Sequence, residues 1–112
     1  MVNNQQLNAT FSALADPTRR AIVARLARGE ATVSELAEPF DVSLPAISKH
    51  LRALEKANLI GREKAGRVHH ITLKVRPLRE ATDWITRYRR FWEQKLDALN
   101  AYLRRTQEED KP

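Results

Sequence analysis

The chain has 112 residues and no cysteine, so it has the length of one domain and lacks the chemistry for disulfides, thiolate-bound zinc, iron–sulfur clusters or thiol catalysis. Twenty Lys/Arg against 14 Asp/Glu leave a net charge of +6, and a hydrophobic fraction of 42% suits a modest core that oligomerisation would supplement. No run of about 18 apolar residues is available to span a membrane, and the start "MVNNQQLNATF" lacks the basic and apolar stretches of a signal peptide, so a cytoplasmic location is expected.

Leu7, Phe11 and Leu14 recur at helical spacing and predict a first amphipathic helix over about 3–14. Asp16-Pro17 then starts a second helix, with Asp as N-cap and Pro in the first helical position. Its inward residues are Ile22, Val23 and Leu26, and Gly29 stops it. In "TVSE", Thr32 and Glu35 have capping-box spacing and open a short helix whose apolar face is Val33, Leu36 and Ala37. Pro39 ends it, and Phe40 is expected to pack beneath the turn "PFDVS".

Ser43 caps the next helix, with Pro45 tolerated in its first turn. Ile47, Leu51 and Leu54 form its inward stripe. Ser48, Lys49, Arg52 and Lys56 lie on the other side. "LIGREKAGRVHHITL" reads as two strands over about 59–73 around a tight turn near Ala65-Gly66. Residues 78–106 form a long helix of about 43 Å, in which Ala81, Trp84, Ile85, Tyr88, Phe91, Trp92, Leu96, Leu99, Tyr102 and Leu103 recur every three or four residues. A stripe that long exceeds what so small a domain can cover, and large apolar patches mark partners. The expected partner is a second copy. The homodimer face would comprise Leu7, Phe11, Trp84, Tyr88, Phe91, Trp92, Leu96, Leu99 and Leu103.

The charge is unevenly placed. Residues 44–74 carry seven Lys/Arg against two Asp/Glu, whereas residues 1–43 carry four against five. A basic stripe confined to one segment is the footprint of a polyanion binder. The order of elements, mainly α with a small β-hairpin (α-α-α-α-β-β-α), is that of a winged helix-turn-helix, with the helix pair over about 33–57. The second helix of such a pair enters the major groove of double-stranded DNA. Its candidates for contact are Leu44, Pro45, Ser48, Lys49 and Arg52. Ser48 can hydrogen-bond a base edge, and Lys49 and Arg52 can reach guanine or phosphate. Leu44 and Pro45 offer only apolar contact, for example to a thymine methyl. On the hairpin, Arg62, Lys64 and Arg67 suit phosphate or minor-groove contact.

The strings "ALADPTRRAI" and "SLPAISKHLRALEKANLI" resemble the ArsR/SmtB family of bacterial winged-helix repressors, over roughly residues 7–73. The resemblance implies a homodimer, five helices with a β-hairpin, an inverted-repeat operator on the nucleoid, and repression relieved by a signal. It carries the groove-facing positions onto Leu44, Pro45, Ser48 and Lys49, with Arg52 nearby. Phosphate contact falls on Thr32 and Ser34, and Lys56 joins them. Many members hold polar residues where this chain has Leu44 and Pro45.

The family's metal-sensing sites do not transfer, because "VSELAEPF" has no thiolate and residues 78–112 have no His. Glu80 and Asp83 alone make a poor transition-metal site and are expected to be solvated or paired with Arg79 and Arg87. His69 and His70, adjacent on a strand, point to opposite faces. His50 lies beside the inward stripe and reads as a partly buried structural residue. No metal or cofactor is expected, and the signal is left between a small molecule, a partner protein and none at all. The alternative is a protein–protein module on the same scaffold, whose aromatic last helix binds a different protein. An enzyme is disfavoured, since the three His lie on the reading helix and hairpin and no Gly-rich phosphate loop is present.

Overall fold

The computed structural model describes residues 4–109. Its elements run α1 (Asn4–Ala13), α2 (Pro17–Leu26), β1 (Ala31–Thr32), α3 (Val33–Ala37), α4 (Leu44–Lys56), β2 (Ile60–Ala65), β3 (Val68–Leu73) and α5 (Val75–Glu109). The helix starts follow local chemistry. Asp16 sits in extended conformation before α2, and its Oδ2 accepts from the Arg19 backbone N–H at 3.0 Å, with Pro17 behind it. Thr32 and Glu35 complete the capping box of α3 in both directions, at 3.2 and 3.1 Å. The Ser43 hydroxyl accepts from the Ala46 N–H at 3.3 Å and starts α4. The two Arg of "DPTRR" turn back on α1. Arg19 Nε donates to the Ala13 carbonyl at 2.6 Å and Arg20 Nη1 to that of Leu14 at 2.8 Å, satisfying acceptors where α1 runs out of partners.

Two helix-end devices escaped the sequence reading. One is this Arg cap. The other is at Asn58, which follows α4 with φ at 63°. The Leu59 N–H bonds back to the Leu54 carbonyl at 3.0 Å, and the Asn58 N–H to that of Glu55 at 2.9 Å. This is a Schellman motif with Asn in the left-handed position, and its apolar pair, Leu54 and Leu59, is fully buried. Lys74 locks it from the far strand. Its Nζ donates to Asn58 Oδ1 at 2.9 Å, and its N–H to the Leu59 carbonyl at 2.8 Å.

The sheet has three strands, not the two of the expected hairpin. β1 pairs antiparallel with β3, Ala31 opposite Ile71, giving the order β1-β3-β2. Two residues are too few to show an alternating pattern, so β1 exists only through its pairing. The hairpin turn is Gly66-Arg67, one residue later than expected, with positive φ at Gly66 alone (65°), as a two-residue turn of the II′ pattern requires. The core joins α2, α3, α4 and the sheet through Ile22, Leu26, Leu36, Ile47, Leu51, Leu54, Leu59, Ile60 and Ile71. Phe40 packs against its margin, as its place under the turn implied.

α5 begins at Val75 and ends at Glu109, longer at both ends than the expected 78–106. Pro77 is compatible with this start, because the first four helical N–H groups have no intrahelical partner to lose. Glu80 meets Arg76 at 3.7 Å rather than Arg79 or Arg87. α1 spans Asn4–Ala13, and residue 3 of its expected range lies outside the described residues. The chain divides into a unit ending at Ala81 and a second beginning at Thr82, which contains most of α5. In that second unit Trp84 and Tyr88 lie 5.1 Å apart and tilted, Phe91 and Trp92 5.8 Å apart edge to face, and Arg89 pairs with Glu93 at 2.9 Å.

The left-handed residue makes a direct stability test. Asn58→Ala, which puts a Cβ at positive φ without Asn's local hydrogen bonding, is expected to cost about 1 kcal/mol in urea unfolding, whereas Asn58→Gly should cost less. Equal losses in both variants would remove the backbone conformation as the cause.

Candidate nucleic-acid interface

α4 is divided lengthwise. Ile47, Leu51 and Leu54 are fully buried. Pro45, Lys49, Arg52 and Lys56 are exposed on the other side, Ser48 is half-buried beside them, and Leu44 at the helix start is 54% exposed. The recognition-helix candidates therefore share one accessible surface.

The seven cations of residues 44–74 separate into two groups. Arg62 and Lys74 are engaged by side chains of their own fold. Lys49, Arg52, Lys56, Lys64 and Arg67 are exposed and make no hydrogen bond or ion pair among the described residues. Of the two acids in the segment, Glu55 is neutralised by Arg62 at 2.6 Å, which leaves Glu63. The unpaired charge of this surface is thus five positive against one negative. Lys64 and Arg67 stand at the wing tip, Arg67 in the turn itself. Arg62, expected beside them, instead points back to α4.

Thr32 and Ser34 reach the same surface by a different route. A cleft of about 330 Å³ is lined by Thr32, Val33, Ser34, Arg67, Val68 and His69, so the start of α3 and the wing tip share one wall. The Thr32 hydroxyl accepts from the Glu35 N–H at 3.2 Å, at the edge of this cleft.

His50 is tied to the start of α2: its Nδ1 lies 3.8 Å from Asp16 Oδ2 and its side chain is 25% exposed, in keeping with a structural role. Asp16 is held below its ordinary 3.8 first by the Arg19 backbone N–H, with the charges of His50 and Arg19 adding to it and desolvation opposing. Glu35 is held below its ordinary 4.5 by the Thr32 backbone N–H and then the Thr32 hydroxyl. His69 faces Arg62 at 3.4 Å and His70 faces Glu30 at 3.9 Å, so the two adjacent imidazoles diverge.

A model described as a helix-turn-helix domain matches residues 14–62. The transcriptional repressor SdpR of Bacillus subtilis is 34% identical over 82 residues, which cover 73% of this chain and 91% of SdpR. The arsenical resistance operon repressor of Staphylococcus xylosus is 30% identical over 86% of this chain and 82% of its own. The crystal structure of an ArsR family transcriptional regulator superposes with a TM-score of 0.75 at 46% identity, covering 82% of this chain and 95% of that one. The chain belongs to the ArsR/SmtB family of winged helix-turn-helix regulators. Among the described residues of this ArsR/SmtB chain, no three His, Asp or Glu side chains gather as metal ligands do.

The two cap carboxylates set the acid response. Each binds a proton less readily in the folded chain than in the unfolded one, so its contribution is present above its ordinary value and is lost as pH falls through the depressed one. The melting temperature is therefore expected to fall from about pH 4.5 downward. Asp16→Asn keeps a capping oxygen but not the titration, and its melting temperature should fall less steeply over the same range. Parallel acid profiles for the two proteins would refute this assignment.

Proposed function

We propose that the protein is a transcriptional repressor that binds an inverted-repeat operator as a homodimer, acts by binding rather than by catalysis, and works on the nucleoid in the cytoplasm. The observation that carries this reading is the surface of five unpaired cations on α4 and the wing, set against a single unpaired acid. α4 enters the major groove. Ser48, Lys49 and Arg52 face base edges and flanking phosphates, and Leu44 and Pro45 contact thymine methyl groups. Lys64 and Arg67 grip the backbone beside the groove. Thr32, Ser34 and Lys56 hold phosphates at the margin. The names of SdpR and the arsenical resistance operon repressor support repression as the outcome.

The dimer reading rests on α5. Trp84, Ile85, Tyr88, Phe91, Trp92, Leu96, Leu99, Tyr102 and Leu103 are each between 38% and 59% exposed. A contiguous apolar surface of that size on a monomer marks an association site, and a second copy carries the same stripe. Phe11 is 39% exposed, whereas Leu7 is buried at 6%.

Two experiments test this. In a mobility-shift assay at fixed salt, duplexes from the region upstream of the protein's own operon should outcompete random DNA. Lys49→Ala and Arg52→Ala should each weaken binding by about 1–3 kcal/mol if they meet bases. If they meet phosphate, they should lower the salt slope by about one. Folding should be intact in both cases, and full operator affinity in both variants would place the reading helix elsewhere. In light scattering, the wild type should have twice the 12.9 kDa of one chain. Trp92→Glu with Leu96→Glu should run as a monomer. A wild-type monomer without DNA affinity would favour the protein–protein module.

A further inference from the structure

Arg62 is the wing cation that does not behave like one. Its Nη2 donates to Glu55 Oε1 at 2.6 Å and its Nε to the same oxygen at 3.1 Å. Its Nη1 lies 3.4 Å from His69 Nδ1, a contact that places the imidazole proton on Nε2 if the guanidinium is the donor. The Arg62 side chain is 27% exposed and that of Glu55 35%. Glu55 belongs to the last turn of the reading helix, and Arg62 is the third residue of β2, two before Lys64. The pair bridges the Asn58 turn by which α4 passes into the wing.

An ion pair this exposed adds little to stability, about 0–1 kcal/mol. Nor does it add positive charge to the DNA-facing surface, since Glu55 cancels Arg62. What it constrains is an angle. The guanidinium is a planar fork, and with one edge on Glu55 and another nitrogen against His69 it holds β2 and β3 together to the end of α4. Lys64, opposite His69 in the strand register, and Arg67 are carried by that hairpin.

We propose that Glu55 and Arg62, backed by His69, are positioning residues for DNA binding: they lock the wing to the last turn of the reading helix, so that Lys64 and Arg67 meet the backbone beside the groove that α4 occupies. This rests on the DNA-binding reading above.

The clamp and plain electrostatics predict opposite signs for Glu55→Gln. If Arg62 were one more phosphate contact and Glu55 one more repulsive acid, Glu55→Gln would tighten DNA binding, Arg62→Gln would weaken it, and the effects would add. Under the clamp both substitutions weaken binding, and the double variant is no worse than either single one.

The test uses the full chain and the best duplex that the wild type selects from a randomised pool, with Kd measured over a series of salt concentrations. E55Q and R62Q are each expected to lose roughly fivefold in affinity, with the double variant within about twofold of either. The salt slope of R62Q should match the wild type, because no phosphate contact is removed. Arg62→Lys, which keeps the charge without the fork, should behave like R62Q. Melting temperatures should stay close to the wild type, separating a lost angle from a lost fold. E55Q binding as tightly as the wild type or tighter overturns the clamp. So does a slope for R62Q lower by about one, or wild-type affinity for Arg62→Lys. A wild type that selects no duplex defeats the DNA-binding reading and the clamp together, whereas a binding wild type with an indifferent E55Q defeats the clamp alone.

Discussion

Everything the exposed face of α4 can offer depends on the burial of Ile47, Leu51 and Leu54. Three side chains at i, i+4 and i+7 leave a helix one rotational setting, and full burial against α2, α3 and the sheet holds α4 in it. Pro45, Lys49, Arg52 and Lys56 are exposed as a consequence. The penalty for losing that anchor is large, about 2–5 kcal/mol for truncating one such Leu to Ala, against a total stability of about 5–15 kcal/mol for a small domain. The polar face is thus only as well aimed as the apolar face is well packed.

The second dependence is the joint after α4. Leu54 and Leu59 close the Schellman turn with a buried apolar contact, Asn58 takes the left-handed conformation, and Lys74 ties that turn to the end of β3. Glu55 and Arg62 span the same joint on the surface. Helix and wing are therefore linked by backbone, core and side-chain contacts over fewer than ten residues.

Much of this was legible in advance, for physical reasons. The caps at Asp16, Thr32 and Ser43 are local, since each needs only a short polar side chain and an N–H three residues on. The inward stripes follow from helical periodicity. The wing was legible from turn chemistry, although the turn is Gly66-Arg67 rather than Ala65-Gly66. What escaped was set by neighbours distant in sequence. β1 is a strand only because β3 passes beside it. The Asn58 cap looked like an ordinary residue between a helix and a strand. Arg62 and Lys74 both add to the positive charge of residues 44–74, but composition cannot tell an engaged cation from a free one.

The sequence by itself determined the family, the order of the main elements, the divided face of α4 and the segment that carries the positive charge, because these rest on residue identity and short-range spacing. Tertiary structure decided which cations remain available. The choice turns on whether a carboxylate or amide from another element lies within hydrogen-bond reach, as Glu55 does for Arg62 and Asn58 for Lys74. It also decided that Leu7 is buried in the interior at 6%. Periodicity gives a helix an apolar face, but only packing decides what covers it.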